Sequence, residues 1–355
     1  MKLTKWIMIC SALILLLVGC KEKEQSSKPI KNEPKVEEPK QEEPAKEPAE
    51  KVYPFTYPLT GMGSDVPVDT RAVAVMINNH PKARPQSGLP KADMVFELLA
   101  EGDITRFLAV FQSEKPDRIG PVRSARDYYI ELAKGLKSIY IAHGYSPEAK
   151  QMLESGFIDN LNGMKYDGSL FKRASFRKAP HNSYITYENI VKGAEKNKYS
   201  MKGAPTPYQF YTKAELDNLQ GKPAKSIMVS YFSSHLFNVM FDYDEAIGKY
   251  KRFSNGQLTI DYDSKERVLL DNILILEMEH TFIDTYGRRS INLTSGGKGY
   301  LVQKGKWNEI TWKNVDGQIV PFQNGVEAKL VPGKTWINVI PTDPGLQSTV
   351  SISDK

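Results

Sequence analysis

Three acidic residues, Asp93, Glu97 and Glu101, recur every four positions along the otherwise apolar stretch 93–101. In an extended chain this spacing puts all three on one face, with Met94, Phe96, Leu98 and Ala100 on the other. In a helix the same spacing would still align them. A hairpin turning at Gly102-Asp103 pairs Glu101 with Ile104 and Leu99 with Arg106. Arg106 then projects between Glu97 and Glu101, while Phe107 and Phe111 face the core. Two outcomes follow. The charges form solvated cross-strand ion pairs worth a few tenths of a kcal/mol each, or they form a carboxylate–guanidinium network that floors a cleft. In the second case a glutamate has the chemistry of a general acid or base.

The run from Arg118 to Asp127 supplies the cations. Gly120-Pro121 is a turn, and Ser124 followed by Asp127 predicts a capped helix start. Arg123 and Arg126 would then sit at the positive end of a helix, which the macrodipole disfavours unless a negative group is nearby. Either they pair with the carboxylates of the hairpin, or they frame a site for an exogenous anion together with the free helix N–H groups. Arg84 adds a further cation. His143 follows a predicted strand, a place where sites commonly form, and His181 precedes another; His80 ends the first strand. No pair of histidines has i, i+3 or i, i+4 spacing, so no metal site and no cofactor are expected. His235 and His280 read as structural. Asp261-Tyr262-Asp263 lacks the glycine and the distal glutamate of a calcium loop.

The elements that position these residues fall into two regions. Val73 to Ile77, Met94 to Ala100 and Thr105 to Phe111 read as strands, Ser124 to Lys134 as a helix, Ser138 to Ala142 as a strand, and Pro147 to Glu154 and Glu188 to Lys196 as helices. From Ser226 onward strands alone are expected, at 226–232, 236–243, 257–262, 272–278, 289–294, 299–304, 307–313 and 335–340. The fold class is α+β: an N-terminal α+β sandwich-type domain over 53–222, then a mostly-β C-terminal domain over 223–355. Trp307, Trp312 and Trp336 read as core residues of the latter.

The 355 residues, 40% apolar and 10% aromatic, suffice for a sizeable core, and Gly and Pro counts of 25 and 22 exclude collagen-like or wholly disordered chains. The one long apolar run is at the N-terminus. Lys2 and Lys5 precede an apolar stretch from Trp6 to Val18, and Leu17-Val18-Gly19-Cys20 matches a lipobox, so residues 1–20 read as a lipoprotein signal peptide. Cleavage before Cys20 and acylation of its thiol, with palmitate-like chains, would anchor the protein on the extracytoplasmic face of the cell membrane. Cys10 leaves with the leader, so the mature chain has no free thiol for disulfides, nucleophilic catalysis or zinc. Residues 21–52 carry five prolines among eight lysines and nine glutamates, a solvated tether reaching about 3 Å per residue. The net charge of +6 falls to +5 over residues 53–355, a mild excess that suits an anionic ligand. Basic residues are spread rather than striped, and nucleic acid is not expected.

Several segments together resemble the YerB-like bacterial lipoproteins. They are Arg84-Pro85-Gln86-Ser87-Gly88-Leu89, Ala92-Asp93, Glu97, Glu101-Gly102, Thr105-Arg106-Phe107, the run from Gly120 to Arg126, Ala179-Pro180-His181-Asn182 and the run from Pro332 to Trp336. The resemblance covers nearly the whole chain after the tether and implies the same α+β plus β organisation. It supplies no catalytic residue. One departure is Tyr145, where the family favours a second glycine after Gly144.

The leading expectation is an envelope binding or regulatory module with a polar cleft of Arg84, Glu97, Glu101, Arg106, Arg123, Arg126, His143 and His181. Its ligand would be an acidic or zwitterionic envelope component, such as a cell-wall polymer fragment, or an envelope protein. The alternative is a wall hydrolase using Glu97 or Glu101 with His143 or His181. A third is a scaffold whose charges are satisfied internally.

Overall fold

Apolar, β-branched runs build the centre of the protein. Val73–Asn78, Met94–Glu101 and Ile104–Phe111 are buried along almost their whole length, as strands covered on both faces must be. The computed structural model describes residues 51–231 and 234–354. The predicted leader, Cys20 and the tether up to residue 50 lie outside the described residues. Among the described residues no helix is long and apolar enough to cross a membrane.

The three strands belong to a twelve-stranded sheet. On one side Val73–Asn78 is followed by Ile139–Ala142 and Asn160–Asn162, all parallel. On the other side Met94–Glu101 pairs in parallel with Thr335–Pro341, which pairs in parallel with Asn272–Met278. Gly297–Gln303, Lys306–Val315, Gln318–Gln323 and Val326–Glu327 continue from there as an antiparallel meander. Residues on both sides of 222–223 therefore share one sheet. A second sheet, ordered Gln257–Leu258, Lys249–Ser254, Val239–Asp244, Ser226–Val229 and Val350–Ser353, comes entirely from the C-terminal part.

Two cores follow from the two faces of the large sheet. On one, Val75, Leu99, Phe107 and Trp336 join Ile227, Phe241 and Tyr250 of the second sheet and Ile190 of the helix Tyr187–Lys196. On the other, Met76, Phe96 and Leu108 pack on Tyr129 and Ile130 of the helix Asp127–Gly135 and Ala149 of the helix Pro147–Glu154. The architecture is α+β with a mostly-β C-terminal part. Trp312 and Trp336 are core residues, 1% and 0% exposed.

Two local expectations are corrected. The hairpin turns at Gly102-Asp103 and pairs Glu101 with Ile104, but its register shifts between Leu99 and Glu101, so Arg106 opposes Leu98 and Thr105 opposes Leu99. The extra residue is a β-bulge, and one inserted residue reverses the side-chain alternation beyond it. Glu97 therefore faces the side of Phe107 and Trp336, while Glu101 is turned to the side of Arg106. The three carboxylates do not share a face. Burying the bulge is made possible by two hydroxyls: Tyr128 Oη donates to the Leu99 carbonyl and Tyr129 Oη to that of Leu98, both at 2.9 Å.

The second correction concerns the helix start. The helix begins at Asp127 with Arg126 as its N-cap, without a side-chain cap, and residues 122–125 are extended. Ser124 does not cap the helix; its hydroxyl donates to the His143 carbonyl at 3.3 Å. Long-range bridges from Val122 to Ile77 and from Ala125 to Tyr145 hold this segment open, overriding the local capping pattern.

Candidate functional site

The glutamates are committed to the protein itself. Glu97 is 0% exposed. Its Oε2 accepts from Arg252 Nη2 at 2.8 Å and Trp336 Nε1 at 3.0 Å, and its Oε1 from Thr105 Oγ1 at 2.9 Å and Asn79 Nδ2 at 3.3 Å. The Arg252 guanidinium lies over the Trp336 ring at 4.2 Å and the Phe107 ring at 5.1 Å. Glu101 accepts twice from Arg106 Nη2, at 2.6 and 2.9 Å, and pairs with Arg126. Arg106 is almost fully buried and also donates to the Ser124 carbonyl at 2.8 Å. Glu97 is thus sealed from solvent, and Glu101 is shared between two guanidiniums. A solvated sheet face is overturned as well, because both faces of this strand are core.

A different set of groups meets at the carboxyl ends of the three parallel strands, where crevices of such sheets commonly form. The extended segment 121–125 wedges between two of these ends. Asn78 N donates to the Pro121 carbonyl and Arg123 N to that of Met76, and on the other side His143 N donates to the Arg123 carbonyl and Ala125 N to that of Gly144, all at 2.9 Å. This fixes the Arg123 backbone between Met76 and His143. Its partly buried side chain has no hydrogen-bond or ion-pair partner among the described residues. Burial and the neighbouring Arg106 pull its pKa down to about 10.

The histidines around it are held neutral. Arg173 Nη2 can only donate, so His143 Nε2 accepts from it at 2.9 Å and the imidazole carries its proton on Nδ1, 2.7 Å from Ser183 Oγ. Burial, then Arg173, lowers the His143 pKa. Asn78 is oriented by His80 N, which donates to its Oδ1 at 2.9 Å, so its Nδ2 donates to His181 Nδ1 at 2.8 Å. His181 stacks on His80 with ring centres 4.7 Å apart. Burial lowers both pKa values, and like charges, Arg123 among them, add to it. The nearby Asp167 is held by Arg173 at 2.9–3.2 Å. The outcome is a basic, partly exposed cluster of Arg123, His80, His143 and His181 with its adjacent carboxylates already spoken for.

Of the eight residues expected in one cleft, Arg123, His143 and His181 converge. Arg106, Arg126 and Glu101 form a closed cluster beneath them. Glu97 and Arg84 lie toward the second sheet. Among the described residues no group of three or more His, Cys, Asp or Glu is placed to hold a metal.

Comparison with known proteins decides the family. Residues 59–200 match the family described as Protein of unknown function (DUF3048) N-terminal domain, and residues 227–337 match its C-terminal domain. A Bacillus subtilis (strain 168) protein named "Putative lipoprotein YerB" is 44% identical over 344 residues, 95% of this chain and 96% of that one. The chain belongs to the YerB-like lipoproteins. The crystal structure of the YerB protein from Bacillus subtilis matches with a TM-score of 0.78 and 47% identity, covering 84% of this chain and 99% of that one.

Within this YerB-like chain, two site residues escaped the sequence reading. Arg252 sits on Lys249–Ser254, a strand not expected, in which Tyr250, Arg252 and Ser254 alternate inward. The period-2 phase of Arg252 with Tyr250 was the available signal. Arg173 had none, since its role depends on Asp167 and His143 meeting it across a loop. Tyr145, the departure from the family pattern, bridges Ala125 and packs beside the helical core.

Gly163 explains how His143 is held. A Cβ at this position would overlap the His143 ring at Nδ1, Cγ and Cε1. G163A is expected to push the imidazole off Ser183 and to cost about 1–3 kcal/mol, as overpacking does. Imidazole NMR shifts of His143 identical to those of the parent protein would contradict this contact.

Proposed function

We propose that the protein is a membrane-anchored, extracytoplasmic lipoprotein that captures an acidic group of a cell-envelope component in the crevice around Arg123. Cleavage before Cys20 and acylation of that thiol would attach it to the membrane, and residues 21–52 would let the folded part work away from the bilayer. The observation that carries the binding role is Arg123: a partly buried guanidinium among three neutral histidines, with no carboxylate engaged to it among the described residues. Burying a cation without a partner is unfavourable, and an incoming carboxylate or phosphate offsets that cost through charge-assisted hydrogen bonds. The ligand is acidic rather than zwitterionic on this reading, because Glu97 and Glu101 are occupied. The same occupancy counts against the hydrolase alternative, which needs Glu97 or Glu101 free to act as general acid or base beside His143 or His181.

The test is retention of carboxylate-bearing peptidoglycan fragments by the purified protein. Arg123→Ala is expected to weaken retention about 10- to 100-fold, the worth of one hydrogen-bonded charge, with an unchanged unfolding midpoint. Retention should also fall with salt. Equal retention by the parent and the variant would remove Arg123 from the binding role.

A further inference from the structure

We propose a second anion site between the N-terminal loop 79–86 and the strands of the second sheet: a small oxyanion of the carboxylate or phosphate class held by Arg84, Arg252 and Ser254.

These residues line one cavity of about 130 Å³, together with Asn79, Gln86 and Thr259. A single water needs roughly 10–15 Å³, so there is room for a polyatomic guest. Three polar atoms of the lining residues are buried and make no hydrogen bond: Arg84 Nη2, Arg252 Nε and Ser254 Oγ. Arg252 is 1% exposed and Ser254 5%. Buried polar groups in native proteins nearly always have partners, so three orphans on residues that line one small cavity ask what fills it.

The remaining atoms of both arginines show that these orphans are not slack side chains. Arg84 Nε donates to the backbone carbonyl and to Oδ1 of Asn79, both at 3.1 Å, and its Nη1 to the Leu236 carbonyl at 2.9 Å. Arg252 Nη1 donates to Thr259 Oγ1 and its Nη2 to Glu97, both at 2.8 Å. Both guanidiniums are thereby fixed, each with one nitrogen wholly unused.

Charge distinguishes an anion from water. Two guanidiniums share one carboxylate, Glu97, whose oxygens already accept four hydrogen bonds. One positive charge remains uncompensated in a buried place. Burial, and after it the charge of Arg252, pulls the Arg84 pKa down to about 10. The two cationic donors accept nothing, so the complementary guest is an acceptor carrying negative charge, with Ser254 Oγ as a third donor. Arg123, His143 and His181 do not line this cavity, so the site stands apart from the proposed capture crevice.

The experiment is calorimetric titration of the full-length protein with sodium phosphate and with sodium acetate at fixed ionic strength, sodium chloride being the reference. It is repeated on Arg123→Ala, Arg84→Met and Ser254→Ala. One equivalent of phosphate or acetate is expected to bind saturably and to persist in R123A. S254A is expected to weaken it about tenfold, and R84M further still, in line with hydrogen bonds to charged groups. S254A removes one hydroxyl and leaves the arginine network intact, so it reports even if R84M folds poorly. Absence of saturable binding beyond chloride would mean that the cavity holds water, and would overturn the site. Equal affinity in S254A, R84M and the parent would overturn it too. Binding lost in R123A but kept in S254A would assign the anion to the capture crevice instead.

Discussion

Replacing Glu97 by Gln is expected to destabilise the fold by about 3–5 kcal/mol, the usual cost of stranding one member of a buried ion pair. Arg252 is 1% exposed and Glu97 0%, so neither charge can turn to water when the other is removed. The stranded guanidinium would also face Arg84 without the carboxylate between them. Because Glu97 lies on a central strand and Arg252 on the second sheet, the loss should appear as a lower urea midpoint in a single transition. The double variant E97Q/R252M is expected to recover part of the loss, since the guanidinium that E97Q strands is then removed as well. A midpoint within about 0.5 kcal/mol of the parent protein in E97Q would show that the pair is not an organising contact.

The second large effect is on acid stability and comes from His280. Both of its ring nitrogens are buried without a hydrogen-bond partner, and burial, reinforced by Arg289, pushes its pKa down to about 3. The unfolded chain takes up this proton near pH 6.5. The folded state resists it until about pH 3. A depressed folded pKa gives stability that is complete above pH 6.5 and is lost as pH falls toward 3. The group accounts for at most about 1.4 kcal/mol per pH unit in that window. H280L is therefore expected to lose about 2–3 kcal/mol less than the parent between pH 6 and pH 4. Parallel stability–pH curves for the two proteins would refute the assignment.

How much of the site could be read beforehand depended on how far each residue's role reached along the chain. The hairpin turn, the apolar strands Val73–Asn78, Met94–Glu101 and Ile104–Phe111 and the helices 147–154 and 187–196 follow from local periodicity, and the structure agrees with them within one or two residues, whereas the strands expected at 257–262 and 289–294 are cut to Gln257–Leu258 and Arg289–Ile291. His143 after a strand, and the open choice for Arg123 and Arg126, were also visible. The structure divides that choice, Arg126 to Glu101 and Arg123 to no internal anion among the described residues. The common face of Asp93, Glu97 and Glu101 was misread because a single bulged residue inverts the alternation. Asp93 instead accepts from the backbone N–H groups of Gln112 and Ser113 at the strand end. Glu97 looked like a cleft residue because its neutraliser lies 155 positions away.

The amino-acid sequence alone determined the central strands and helices of the N-terminal part, the leader pattern ending at Cys20, the proline-, lysine- and glutamate-rich composition of residues 21–52, the absence of cysteine after Cys20 and the excess of positive charge. These depend on composition and on periodicities of two to four residues. The tertiary structure alone decided which charges were consumed and which were left over. Glu97 became a core residue when Thr335–Pro341 was laid beside its strand and brought Trp336 to it, and when the second sheet delivered Arg252. Arg123 was left over because the segment 121–125 was drawn between two strand ends instead of into a helix. Whether a charge is neutralised or available depends on what long-range packing places within a few ångströms of it, and local spacing carries no record of that.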